Sequence, residues 1–110
     1  VPEPVEEKRE LLDELMSYVE DRLAEYINLE DTARHFHVSE STISQLFRKR
    51  MGVSYYRYVT QRRLIAAKTM ISEGSNLERV AEAVGFTDYS GFYRAFKQEY
   101  GISPTKFRSL

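Results

Sequence analysis

The chain contains no cysteine, which removes disulfide frameworks and thiolate metal sites from consideration. Long apolar runs are absent too: nothing approaches the ~20 consecutive apolar residues of a membrane span, and no signal-peptide pattern opens the sequence. A cytoplasmic protein without membrane association is therefore expected. Glycine-rich phosphate loops, low-complexity stretches and any alternating pattern long enough for a strand are missing. His35 and His37 stand two apart at a helix end and face different ways, with no third ligand group in a zinc pattern, so no metal is expected. No nucleophile, base and orienter can be assembled, and the chain reads as a non-enzyme without a cofactor.

What is present is enough to fold. A length of 110 residues makes one ordinary domain or two very small units that lean on each other, and 42% hydrophobic with 13% aromatic residues can build a core. The sequence begins with Val1 rather than Met, as expected for a piece of a longer protein. The net charge of -1 hides a split: residues 1–31 hold 11 acidic and 3 basic side chains, residues 32–110 hold 6 and 13. A basic body behind an acidic leader fits a polyanion partner, and fits a merely solvated surface as well.

The periodicity is helical throughout. VPEP (residues 1–4) reads as a linker end, and Val5 to Ile27 as an amphipathic helix with Leu12, Leu15, Met16, Val19, Leu23, Tyr26 and Ile27 on its apolar face. Asn28 caps a short helix carrying Leu29, Ala33 and Phe36; Ser39 caps a second, carrying Ile43, Leu46 and Phe47, which Gly52 ends. From Ser54 a longer helix keeps Tyr58, Val59, Leu64, Ala67, Met70 and Ile71 at helical spacing until Gly74. The pattern then restarts. Asn76 caps, Leu77, Ala81 and Val84 form a stripe, Gly85 permits a sharp turn, Asp88 caps, and Phe92, Ala95 and Phe96 lead to Gly101. Ser103 and Pro104 open a last short helix.

That restart is a repeat. Aligning Asn28 with Asn76 pairs Leu29 with Leu77, Glu30 with Glu78 and Ala33 with Ala81. Past the turn the register slips by one residue and pairs Ser41 with Ser90, Phe47 with Phe96, Gly52 with Gly101 and Ser54 with Ser103. Two copies are too few for a solenoid, which needs about three, so they read as a pair of like modules. Each is a short helix, a tight turn and a second helix with small polar residues at its start, the helix-turn-helix geometry whose second helix enters the DNA major groove. Any helical hairpin shares the apolar pattern; the pairing favours DNA. A helix from Ser54 to about Ser72 spans about 28 Å, close to the ~34 Å between successive major grooves on one face of B-DNA. One chain can thus place two second helices in consecutive grooves, with modest bending of the DNA.

The run from Asn28 to Arg108 also resembles the AraC/XylS-type transcription regulators. The most specific part, GFTDYSGFYRAFKQEYGISPTKFR, is similar to that family's second-half signature, and RRLIAAKTMI to its linker helix. The resemblance implies an all-α fold of about seven helices: a first helix-turn-helix subdomain over 5–53, with the acidic leading helix, a linker helix over 54–73, and a second subdomain over 74–110. It implies sequence-specific binding to double-stranded promoter DNA, RNA polymerase as a further partner, and an effector-sensing or dimerising domain elsewhere in the parent protein.

Counted back from Phe47 as in the family, the groove-facing positions of the first module are Ser41, Thr42, Ser44 and Gln45; Gln45 can bond adenine bidentately. In the second module they are Tyr89, Ser90, Gly91, Tyr93 and Arg94. Arg94 suits guanine, or else clamps a phosphate. Gly91 lacks a side chain, and Tyr89 and Tyr93 either meet thymine methyls or cover the core. Arg48, Lys49, Arg50, Arg57, Lys97 and Lys106 suit phosphate contacts, as do the helix starts at Ser54 and Ser103. Arg63 is expected to be structural, pairing across the modules. A rival reading makes the chain a helical protein-interaction module using the acidic first helix.

Overall fold

The computed structural model describes residues 4–110, with side chains from residue 7 onward. Among the described residues there are seven helices and no strand: α1 (Pro4–Asp21), α2 (Leu29–Phe36), α3 (Glu40–Met51), α4 (Tyr55–Ser72), α5 (Leu77–Ala83), α6 (Tyr89–Tyr100) and α7 (Pro104–Arg108). The expected linker end at 1–4 lies outside the described residues except for Pro4, which is the first residue of α1. Packing divides the chain into two compact units. Residues up to Arg22 with Tyr26–Val59 form one, and Leu23–Glu25 with Thr60–Leu110 the other.

The helix starts follow short-range chemistry. Asn28 Oδ1 accepts from the Asp31 amide at 2.7 Å and Ser39 Oγ from the Thr42 amide at 3.1 Å. Asn76, Asp88 and Ser103 cap α5, α6 and α7 in the same way. Each bond satisfies an amide that the first helical turn leaves without an internal partner.

In the first unit α1 buries Leu12, Leu15 and Val19, α3 buries Ile43, Leu46 and Phe47, and the start of α4 adds Tyr55, Tyr58 and Val59. The Phe47 ring lies between those of Tyr55 (5.2 Å) and Tyr58 (5.0 Å). Thr32, a polar side chain buried in this core, bonds the Asn28 carbonyl at 2.8 Å and the Tyr55 hydroxyl at 3.0 Å. Burial pushes the Tyr55 hydroxyl up to about 12, against a smaller downward pull from the Thr32 hydrogen bond.

The second unit gathers Leu64, Ala67 and Ile71 of α4, Val80, Ala81 and Val84, and Phe92 and Phe96 of α6. Phe96 meets Phe92, Tyr100 and Phe107, and Lys68 Nζ sits 4.5 Å over the Tyr100 ring.

The first helix corrects the sequence expectation. It ends at Asp21 instead of running to Ile27, and Tyr26, assigned to the apolar face, is 85% exposed. The cause lies far along the chain. Arg63 donates through Nε to the Leu23 carbonyl at 3.0 Å and through a terminal nitrogen to the Glu25 carbonyl at 2.7 Å, holding 23–25 in an irregular path. Arg63 has a structural role, and these two partners are main-chain carbonyls in its own compact unit.

Candidate nucleic-acid interface

On α3 the buried row of Ile43, Leu46 and Phe47 leaves Ser41, Thr42 and Gln45 exposed and Ser44 half-buried. The Thr42 hydroxyl lies 2.8 Å from Ser39 Oγ, so this short side chain folds back on the cap. Gln45 is the longest of the four expected groove-facing side chains. Arg48, Lys49 and Arg50 follow on the last turn, all exposed. There they also complement the negative end of the helix dipole.

On α6 the chemistry differs. Ser90 and Arg94 are exposed, Tyr89 and Tyr93 half-buried. Tyr89 packs against the core, its ring 5.9 Å from Phe92 and 6.3 Å from Tyr93. The structure thus uses part of Tyr89 to cover the core. Arg94 has no hydrogen-bond or ion-pair partner among the described residues, which leaves all its donors for a ligand. Gly91 donates its amide to Asp88 Oδ1 at 2.7 Å, and a Cβ there would stand 3.2 Å from the same oxygen.

The expected phosphate set falls into three places: Arg48, Lys49 and Arg50 at the end of α3, Arg57 on the first turns of α4, and Lys97 and Lys106 on α6 and α7, all exposed. Ser54 and Ser103 are half-buried, and their hydroxyls accept from the Arg57 and Lys106 amides at 3.1 Å. Each hydroxyl thus serves its cap as an acceptor and keeps its own O–H as a donor. Exposed Arg79 and Arg108 are further cations that the sequence reading did not single out. Exposed Arg34 is not comparable, since Glu30 and Asp31 hold it at 3.0 and 3.2 Å.

The two histidines have packing and backbone roles. His35 lies against Tyr18 and Phe36, and His37 ends α2 in the left-handed conformation. Among the described residues no group of three or more His, Cys, Asp or Glu side chains can hold a metal, and no helix is long and apolar enough to cross a membrane.

Two capped helix-turn-helix hairpins, each exposing a polar second helix, define a helix-turn-helix protein of the duplicated type. Comparison with known proteins agrees: the helix-turn-helix domain family matches residues 32–109. The HTH-type transcriptional regulator YfiF of Bacillus subtilis is 35% identical over 109 residues, covering 98% of this chain and 34% of that protein. The arabinose operon regulatory protein of Salmonella typhimurium is 34% identical over 94 residues, covering 84% of this chain and 34% of that one. The chain belongs to the AraC/XylS-type family of transcription regulators, and it spans about a third of the length of these relatives. The crystal structure of the DNA-binding domain of AdpA in complex with a target DNA has the same fold, with a TM-score of 0.83 at 22% identity, covering 89% of each chain.

Proposed function

We propose that this chain is the DNA-reading part of a transcription regulator and binds double-stranded promoter DNA sequence-specifically, α3 and α6 each lying in a major groove. The observation that carries the reading is the exposed polar face on both second helices, with Gln45 on one and the unpartnered Arg94 on the other. Gln45 selects adenine and Arg94 guanine, with Ser41, Thr42, Ser44, Ser90 and Tyr93 bonding or packing nearby. Arg48, Lys49, Arg50, Arg57, Lys97 and Lys106 neutralise phosphates and fix the register.

The helix α4, of 18 residues, is about 27 Å long at the usual rise. That length supports engagement of consecutive grooves, about 34 Å apart, with a modest bend in the duplex. The parent protein adds an effector-sensing or dimerising domain, acts in the cytoplasm and meets RNA polymerase at the promoter.

Salt dependence tests the binding mode. Neutralising five to eight phosphates gives a log-log slope of about -4 to -7, and each Lys or Arg to Ala change in the set lowers it by about 1. A slope near zero would favour the rival reading, a protein-interaction module, and would remove DNA from the account.

A further inference from the structure

The exposed end of α3 carries a group that the base-reading set leaves out. Glu40 is the first residue of that helix, is exposed, and has no hydrogen-bond or ion-pair partner among the described residues. We infer that Glu40 selects cytosine at the base pair met by the amino end of α3. This rests on the DNA reading proposed above.

Glu40 shares a helical row with Ile43 and Phe47, both 0% exposed, yet it stays in solvent because it stands at the tip. Side chains on a helix lean toward its N-terminus. At the first position that lean carries the carboxylate past the end of the helix, where a recognition helix meets base edges. Its neighbours cannot reach as far. Ser41 and Thr42 are short, and the Thr42 hydroxyl is drawn back to Ser39 at 2.8 Å. Glu40 and Gln45 are therefore the two long polar side chains ahead of Arg48 on the exposed part of α3.

A carboxylate only accepts hydrogen bonds. In the major groove guanine presents N7 and O6, thymine presents O4, and adenine sets N7 beside its amino group, so each turns an acceptor toward it. Cytosine presents the N4 amino donor alone. Glu40 thus favours cytosine, is disfavoured by guanine and thymine, and meets at adenine a donor with an acceptor beside it; it also keeps phosphate away from the start of α3. The second module has no counterpart: half-buried Tyr89 stands at the tip of α6, and the Asp88 carboxylate is held by the Gly91 amide at 2.7 Å.

The test uses the full chain, a duplex selected from a random pool, and its three single-base alternatives at each position. Anisotropy is read for wild type, Glu40→Gln, Glu40→Ala and, as a charge control that keeps the cap, Asp88→Asn. Wild type is expected to prefer cytosine at one position by about tenfold or more. Glu40→Gln moves that preference toward adenine, Glu40→Ala flattens it, and neither alters other positions. Asp88→Asn strengthens all duplexes alike. If Glu40→Gln also strengthens all four bases by the same factor, Glu40 contributes only charge and the inference fails. A wild type that selects no sequence overturns the DNA reading itself, a different result from a motif that ignores Glu40.

Discussion

In the first hairpin the chain leaves α2 through His37, at φ 56, whereas the second hairpin turns on Gly85, at φ 97. His37 is exposed and its backbone amide bonds back to the Ala33 and Arg34 carbonyls, so a side chain is tolerated in the left-handed region. Gly85 has no such freedom, because a Cβ there would run into the Leu23 carbonyl and the Arg63 guanidinium. The two recognition helices differ as well: α3 presents Glu40, short hydroxyls and Gln45, α6 presents tyrosines and Arg94. A repeated backbone plan can therefore be kept while each copy is fitted to a different neighbour and presents a different face on its second helix.

Substitutions at the two turns should separate the copies most. Gly85→Ala combines a left-handed backbone with a steric conflict and should cost at least about 3 kcal/mol, seen as a large drop in the unfolding midpoint. His37→Gly should shift stability by no more than about 1 kcal/mol in either direction. Equal effects would show that the Arg63 clasp does not constrain the second turn.

Burial raises a tyrosine hydroxyl in each unit, Tyr55 in the first and Tyr100 in the second, and the larger shift is at Tyr55. The Tyr55 hydroxyl is raised from 10.0 to about 12, so the folded first unit holds the phenolic proton more tightly than the unfolded chain. Its contribution is complete below pH 10 and is lost as pH rises through 12, by about 3 kcal/mol in all and about 2 kcal/mol by pH 11.5. Denaturant unfolding at pH 9 and 11.5 should show that loss in wild type and much less of it in Tyr55→Phe. No change in wild type would mean that the Thr32–Tyr55 pair stays open to solvent.

The caps give the smallest difference. Ser39→Ala and Asp88→Ala should each cost about 1 kcal/mol, because each removes the acceptor of one amide in a recognition helix. Asp88→Ala should cost somewhat more, since its charge also faces the positive end of the α6 dipole. Thermal melts of the two variants would show equal losses if the dipole term were negligible.

The features readable in advance were those decided within four residues. Asn28, Ser39, Asn76, Asp88 and Ser103 all cap the helices that their residue types predict, and Ile43, Leu46, Phe47, Tyr58, Phe92 and Phe96 are all buried. What was not readable depends on distant partners. The α1 terminus at Asp21 answers to Arg63, about forty residues on, and periodicity cannot register a guanidinium that takes the carbonyls of Leu23 and Glu25. Tyr55 was missed as a core residue because α4 serves two cores: Tyr55, Tyr58 and Val59 in one, Leu64, Ala67 and Ile71 in the other, so no single stripe marks it. At the interface, residue type and exposure were legible. Of the two alternatives open for Tyr89, the side chain takes core cover against Phe92, whereas the retreat of Thr42 onto Ser39 was not legible, because it depends on side-chain packing.

The central claim, that one chain reads DNA twice, is tested most directly by selecting duplexes of ~25 base pairs from a random pool and measuring wild type, Gln45→Ala and Arg94→Ala on the winners. The account predicts two clusters of preferred bases about one helical turn apart. Each substitution should relax only its own cluster, at about 1 to 3 kcal/mol. A single cluster weakened equally by both substitutions, or no enriched sequence at physiological salt, would contradict it.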